Sequence, residues 1–269
     1  MDEMLFCRNA ENGEMTLPLA IGRDENGRPL WLDLAAAPNI LLAGCTKQGK
    51  SVAMNAMIAS LMLLKGQEEV KFIFIDPKLA ELAVWAGTAG SRYAGGESEA
   101  NAELDRLTVE LDSRLSGLAG DPRRKYPKIV VFVDEYADLM DYGSKKTAAF
   151  KNIVGMSKAG NAVGIHMVIS TNRVSGKVIT KEIKENFPMR IGFRMLDKRE
   201  SIVVLDRTGA ERLDGNGDML LLRGPDVERV QGTFLSPDEC MAIKEENNID
   251  YDSVVTPEKK MKYLEKLQK

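Results

Sequence analysis

The chain alternates between short unbroken apolar runs and longer segments in which apolar residues recur every three or four positions. Runs of the first kind fit strands buried on both faces, and segments of the second fit helices that lay one side on a sheet. Asn39 to Ala43 (N-I-L-L-A) is such a run. Ser51 to Leu64 then places Ala53, Ala56, Met57, Ser60, Leu61 and Leu64 at helical spacing. Val70 to Ile75, Ile129 to Val133, Gly164 to Thr171 and Met189 to Arg194 predict further strands. Between them, Ala100 to Leu118 and Lys145 to Ala159 keep helical periodicity, the first through Leu104, Leu107, Leu111 and Leu115. Upstream, two apolar stretches within Leu17 to Leu34 flank Asn26-Gly27, which predicts a β-hairpin. Residues 86–98 read as a Gly/Ser-rich loop, Gly217 to Leu222 and Val230 to Leu235 as late strands, and Asp238 to Glu246 as the start of a helix. Strands alternating with helices define an α/β fold with a doubly wound, mainly parallel sheet. We divide the chain into a lead-in with the hairpin (1–34), an α/β domain (35–246) and a polar C-terminal extension (247–269).

The sharpest chemical signal lies between the first core strand and its helix. Gly44, Gly49, Lys50 and Ser51 fit G-x-x-x-x-G-K-[ST], and strand, loop and helix stand in the order a phosphate site requires. The glycines let the backbone curl so that consecutive N–H groups of Cys45, Thr46, Lys47, Gln48 and Gly49, and of Val52 on the helix, point at phosphate oxygens. The helix N-terminus adds partial positive charge. Lys50 is expected to bridge the β- and γ-phosphates and Ser51 to hold Mg²⁺. The run Ile129 to Val133 ends in Asp134-Glu135, which delivers two acids to the same edge of the sheet. The first acid is suited to the Mg²⁺ shell and the second to polarising an attacking water. Thr171-Asn172-Arg173 ends another strand on that edge, with polar groups able to sense the γ-phosphate or engage a partner. Asp76-Pro77-Lys78 ends a third, and reads equally as part of the site or as a solvated turn. No N-K-x-D run of the guanine-specific kind is present, so ATP is expected rather than GTP.

Composition narrows the picture. The chain has 269 residues, 44% hydrophobic and 29% charged, enough for one large domain with a substantial core. A formal net charge of −3 does not advertise nucleic-acid binding, although a ring can be acidic outside and basic along its channel. Gly120 to Lys128 (G-D-P-R-R-K-Y-P-K) is the most basic short loop, either a solvated surface or a polyanion contact. Cys7, Cys45 and Cys240 lack metal-ligand spacing, which fits a reducing, cytoplasmic setting. No apolar run approaches a membrane span. His166, the only histidine, lies inside an apolar strand and reads as a satisfied core or edge residue.

With these motifs in hand, the chain resembles the motor domain of the FtsK/SpoIIIE DNA translocases. The resemblance rests on L-P-L-A-I-G-R-D-E-N-G-R-P-L (Leu17–Leu30), D-L-A-A-A-P-N-I-L-L-A-G (Asp33–Gly44), G-K-S-V-A-M-N-A-M-I-A-S-L (Gly49–Leu61) and F-I-F-I-D-P-K-L-A-E-L (Phe72–Leu82). It continues through V-F-V-D-E-Y-A-D-L-M (Val131–Met140), G-I-H-M-V-I-S-T-N-R (Gly164–Arg173) and G-A-E-R-L-D-G-N-G-D-M-L (Gly209–Leu220). It implies a RecA-like P-loop ATPase that assembles into hexameric rings around double-stranded DNA and pulls it using ATP. By the same resemblance Lys50 and Ser51 bind phosphate and Mg²⁺, and Asp134 and Glu135 are the Walker B pair. Asn172 stands where a glutamine responds to the γ-phosphate, and Arg173 and Lys198 fall at channel-facing DNA contacts. Such contacts are expected to be to phosphates, because a translocase must pass over every sequence. The family includes membrane-anchored proteins, so the chain reads as cytoplasmic or as the soluble part of one of these.

Departures from the pattern bear on mechanism. Lys47-Gln48 replaces a small Gly-Ser pair, and Asn161 occupies the position of the arginine that reaches into a neighbouring subunit's ATP. Either Lys158, Arg190 or Arg194 replaces that arginine, or hydrolysis is weak in homo-oligomers, or the active ring needs a different subunit. Three functions follow from this pattern: a DNA translocase motor, a superfamily ATPase that drives protein secretion, and a nucleotide-binding regulatory module with weak hydrolysis.

Overall fold

Among the described residues, ten strands form one continuous sheet in the order β2-β1-β10-β9-β8-β3-β7-β6-β4-β5. The computed structural model describes residues 15–140, 147–248, 262 and 264–267. The strands are β1 (Pro18–Asp24), β2 (Pro29–Asp33), β3 (Asn39–Ala43), β4 (Val70–Asp76), β5 (Ser91–Gly95), β6 (Lys128–Val133), β7 (Ile165–Thr171), β8 (Met189–Phe193), β9 (Asp218–Arg223) and β10 (Asp226–Gly232). From β8 to β5 all neighbours run parallel. From β8 to β2 they alternate in direction. The expected hairpin is present, with Leu19 opposite Leu32. It joins the core through β1, whose Gly22 pairs with Gly232 of β10.

The unbroken apolar runs are strands because each of their faces meets a separate core. Ile40 and Leu42 of β3 and Val130 and Phe132 of β6 pack on one face, with α1 (Lys50–Leu64) and the hairpin residues Leu19, Ile21 and Trp31. Leu41, Ala43, Val131 and Val133 pack on the other. There they meet α2 (Glu97–Gly120), α3 (Ala148–Ala159), α4 (Lys181–Asn186) and α5 (Lys198–Leu205). The last long helix, α6 (Pro237–Asn248), sets Cys240 and Ile243 against the α1 face, where Leu264 and Leu267 are also buried. Helices on both faces of a largely parallel sheet make this the expected doubly wound α/β architecture.

Several boundaries differ from the sequence expectation. The Gly/Ser-rich segment contains β5, an edge strand pairing Arg92 with Ile73 and Ala94 with Ile75. An edge strand needs partners on one side only, so its half-buried residues show no strong alternation. The late strand expected at Val230 to Leu235 instead spans Asp226–Gly232, where it pairs with β9 and β1 and carries the polar residues of a partly exposed ribbon. Lys198–Leu205, a segment to which the sequence pattern assigns no element, is α5, capped by the Asp197 carboxylate, which accepts from the amides of Arg199 and Glu200. Helix α3 begins after Thr147, whose hydroxyl accepts from the Phe150 amide; Lys145 and Lys146 lie outside the described residues.

His166 is fully buried, as expected of a core residue. Among the described residues its ring makes at most a marginal contact with the Pro38 backbone. Burial and the nearby Lys128 charge pull its pKa down to about 4, so it is neutral in the native protein.

Candidate active site

The loop between β3 and α1 is held from three sides. The Gly44 amide donates to the Thr171 carbonyl at 3.4 Å, Cys45 N to the Arg194 carbonyl at 2.9 Å, and Gly217 N to the Gln48 carbonyl at 2.9 Å. Gly49 must be glycine twice over: its φ is +107°, and a Cβ there would lie 2.7 Å from Gly217 Cα. The loop is thus a backbone cradle fixed to β7, to the end of β8 and to the turn before β9. Lys50 opens α1 and is buried, its Nζ donating to the carbonyls of Gly44 and Cys45 at 2.7 Å each. Burial lowers its pKa, while Glu135 and Asp134 act in the opposite direction.

Strand β6 delivers the carboxylates. Asp134 Oδ1 accepts from the Ser170 hydroxyl at 2.5 Å, and burial is the main cause that pushes its pKa up to about 6. Glu135 follows in the left-handed region at φ +44° and is 4% exposed. Its Oε1 accepts from Thr171 Oγ1 at 2.7 Å and its Oε2 from Asn172 N at 2.9 Å. Asn172 Nδ2 also approaches Thr46 Oγ1 at 3.4 Å. A pocket of about 570 Å³ opens between these groups, a size suited to a nucleotide.

The structure brings Thr46, Lys47, Gly49, Lys50, Ser51, Val52, Asp134, Glu135 and Asn172 to the wall of this one pocket. Arg173 lies just beyond, its Nη2 2.7 Å from Asp138 Oδ1, and Lys78 Nζ is 2.9 Å from Asp138 Oδ2. The D-P-K turn therefore contributes a side chain at the margin of the site. Lys198 is exposed in the first turn of α5, after β8. Because β7 and β8 flank β3 in parallel, Arg173 and Lys198 leave the sheet at the same edge on either side of the cradle.

The far wall of the pocket was not foreseen. Asn216, Gly217, Gln231, Gly232, Thr233 and Phe234 line it, together with Glu81 from the turn after β4. The run Gly215-Asn216-Gly217-Asp218 was the available signal, a glycine-dense turn abutting a strand.

The residues weighed for the absent arginine separate clearly. Asn161 is exposed in a short 3₁₀ turn before β7, at the opposite edge of the sheet from the pocket, roughly 20 Å away along the strand. Lys158, also exposed, ends α3 nearby. Arg190 is buried and committed, with Nη1 donating to the Val204 carbonyl at 2.9 Å and Nη2 paired with Asp206 Oδ2 at 2.7 Å. Arg194 stands beside this chain's own cradle. The basic loop at 120–128 also lies at the far edge, tied there by Arg114, whose Nη1 donates to the Pro127 and Val163 carbonyls.

A backbone cradle, a buried lysine and a strand ending in two carboxylates, set on a doubly wound sheet, define a RecA-like P-loop ATPase. Comparison with known proteins agrees and narrows the class. Residues 2–119 match the FtsK/SpoIIIE family. A DNA translocase FtsK of Treponema pallidum is 35% identical over 90% of this chain, and one of Pseudomonas aeruginosa is 36% identical over 90%. The chain spans about a third of the length of these relatives, 32% and 35% respectively. Among solved structures, the pCW3 conjugation coupling protein TcpA, in a monomer form with ATPγS, superposes with a TM-score of 0.73 at 24% identity, covering 86% of this chain and 71% of TcpA. The cytoplasmic domain of the Type VII secretion ATPase EccC from Thermomonospora curvata gives 0.75 at 22%, covering 87% of this chain and 31% of EccC. The chain thus matches the FtsK/SpoIIIE family, and the match supports an ATP-hydrolysing enzyme. Among the described residues, no helix is long and apolar enough to cross a membrane.

Proposed function

We propose that this chain is an ATP-driven motor module that moves double-stranded DNA through a ring of its own copies. The observation that carries the reading is the position of Arg173 immediately after Asn172. One strand end, β7, joins the wall of the nucleotide pocket to an outward-facing cation. The names of the relatives, DNA translocases at about 35% identity, support DNA as the substrate.

The residues present fit ATP and Mg²⁺. The buried Lys50 ammonium is held against carbonyls in a cradle too tight for side chains, the setting in which phosphate oxygens take over as its partners. Among the described residues no group of three or more His, Cys, Asp or Glu could hold a metal alone. Mg²⁺ in such sites needs only one carboxylate, a hydroxyl and the phosphates themselves. Ser51 and Asp134 would supply the first two. Bound Mg²⁺-ATP supplies the phosphoryl group that water attacks.

The chain's own groups do the rest. The amides from Cys45 to Val52 orient the phosphates, Lys50 neutralises charge on the β and γ groups, and Glu135 takes a proton from the attacking water. Asn172 lies beside Thr46 and reports the state of the γ-phosphate to Arg173. Arg173 and Lys198 contact DNA phosphates without reading bases. Asn161 faces away from its own pocket, so any cation that completes the site from its surroundings comes from a neighbouring copy or another subunit, with Lys158 the exposed candidate beside it.

The test is ATP turnover against protein concentration, with and without duplex DNA at low salt. DNA stimulation that rises with concentration and disappears in Lys50→Ala and Glu135→Gln is expected. Stimulation by a partner protein and not by DNA would transfer the motor to polypeptide cargo. Binding of ATP without turnover under any condition would make the chain a regulatory module.

A further inference from the structure

A closed circuit of polar contacts links Glu135 to Arg173 at the end of β7. Thr171 Oγ1 donates to Glu135 Oε1 at 2.7 Å and, with its lone pair, accepts from Arg173 N at 3.0 Å. The Arg173 guanidinium reaches Asp138 at 2.7 Å, and Asp138 N donates to the Glu135 carbonyl at 2.9 Å. The circuit runs from Glu135 through Thr171, Arg173 and Asp138 back to Glu135. Lys78 holds the second oxygen of Asp138 and keeps the carboxylate in place.

A carboxylate that polarises water must turn an oxygen toward it. Here both Glu135 oxygens accept from β7, one from the Thr171 hydroxyl and one from the Asn172 amide. Thr171 is fully buried, so its single proton has no solvent alternative while the segment keeps this shape. At the other end of the circuit, the Arg173 side chain is 47% exposed, where an ion pair is weak and a polyanion can compete for it.

We propose that Thr171 is a positioning residue and that, together with Asp138, it latches Glu135 against β7 until a phosphate diester draws Arg173 away from Asp138. Removal of the guanidinium shifts the 171–173 backbone, the Thr171 hydroxyl follows the Arg173 amide, and one oxygen of Glu135 is released to face water. The inference rests on the reading of Glu135 as the base and Arg173 as a phosphate contact. It adds the means by which substrate engagement licenses hydrolysis.

The experiment measures ATP turnover of the full chain without DNA and with duplex DNA, for wild type, Thr171→Val, Thr171→Ser and Asp138→Asn, with thermal melts to confirm folding. Valine keeps the shape of threonine and removes the hydroxyl. The expected result is a DNA-free rate about tenfold higher in Thr171→Val, the equivalent of one charge-assisted hydrogen bond, with little further stimulation by DNA. Thr171→Ser should restore wild-type behaviour, and Asp138→Asn should raise the DNA-free rate in the same direction. An unchanged or lower DNA-free rate in either Thr171→Val or Asp138→Asn overturns the latch. If Thr171→Val does not fold, Asp138→Asn alone decides. Failure of DNA to stimulate the wild type would sink the DNA reading, whereas the DNA-free comparison would still decide the latch. Undiminished turnover in Glu135→Gln would sink the assignment of the base.

Discussion

The amide of Gly217 donates to the carbonyl of Gln48 at 2.9 Å, which ties the tip of the phosphate cradle to the turn before β9. Lys47 and Gln48, the unusual pair within the motif, therefore sit at a supported corner of the loop. Lys47 takes a left-handed conformation at φ +61°, and Gln48 packs against Gly215. The bulkier pair is accommodated by the neighbouring glycine turn.

Gly49→Ala should collapse this arrangement. Its methyl group would overlap Gly217 Cα and force an L-residue into a backbone conformation it disfavours. A cost of about 1–3 kcal/mol in stability is expected. Calorimetric titration should show ATP affinity lost, while a melt without nucleotide shows a folded protein with a lowered Tm.

Lys50→Ala and Glu135→Gln should fail differently. The first removes the cation that meets the phosphates, so ATP binding and turnover fall together. The second removes a carboxylate charge but keeps the shape of the pocket and should bind ATP nearly as wild type. Its kcat should drop by about 10²–10⁴-fold, the usual contribution of a general base. Equal loss of affinity in both variants would contradict the separate roles.

The pH dependence of turnover should carry the mark of Asp134. Its carboxyl is raised from the ordinary 3.8 to about 6, mainly by burial, so in the nucleotide-free protein it gains protons as pH falls below neutrality. Mg²⁺ needs the ionised form, hence kcat/KM should fall on the acid side with an apparent pKa near 6. The stability consequence has the opposite sense. A carboxyl whose folded pKa is raised favours the native state at low pH and costs stability as pH climbs from 4 through 6. Asp134→Asn should therefore melt higher than wild type at pH 8 without nucleotide, by up to about 3 kcal/mol.

His166 predicts acid sensitivity. Its folded pKa of about 4 lies below the ordinary 6.5, so the unfolded chain binds the extra proton and stability falls as pH drops from 6.5 toward 4. The loss at pH 5 should be about 2 kcal/mol. His166→Leu, similar in size and without a titrating ring, should remove most of that slope in urea titrations at pH 5 and pH 8.

Asn161→Arg offers a gain of function. If copies assemble with the far edge of one sheet against the pocket of the next, turnover should rise, and more steeply with protein concentration than in wild type. An unchanged concentration dependence would show that this edge does not meet a neighbouring pocket.

Much of the molecule was legible from local pattern. Strands β3, β4, β6, β7 and β8 are dominated by apolar residues because each is covered on both faces, and the cradle and Asp134-Glu135 are read from contiguous residues. The features that escaped have non-local causes. Strand β5 is set by pairing with β4 more than by its own residues. Gln231 to Phe234 reach the pocket only because β10 folds back along β9. The coupling of Thr171 to Glu135 joins two strand ends that no spacing rule connects.

The pairing of Gly22 with Gly232 has a consequence for biosynthesis. The hairpin is made well before β10, the strand it must wait for as a partner. Until the ribosome has released β10, β1 carries an open row of amides and carbonyls beside apolar side chains, a template for unwanted association. A nascent chain arrested anywhere before β10 should thus be a chaperone client, and circular permutation that joins β10 directly to β1 should shorten that dependence.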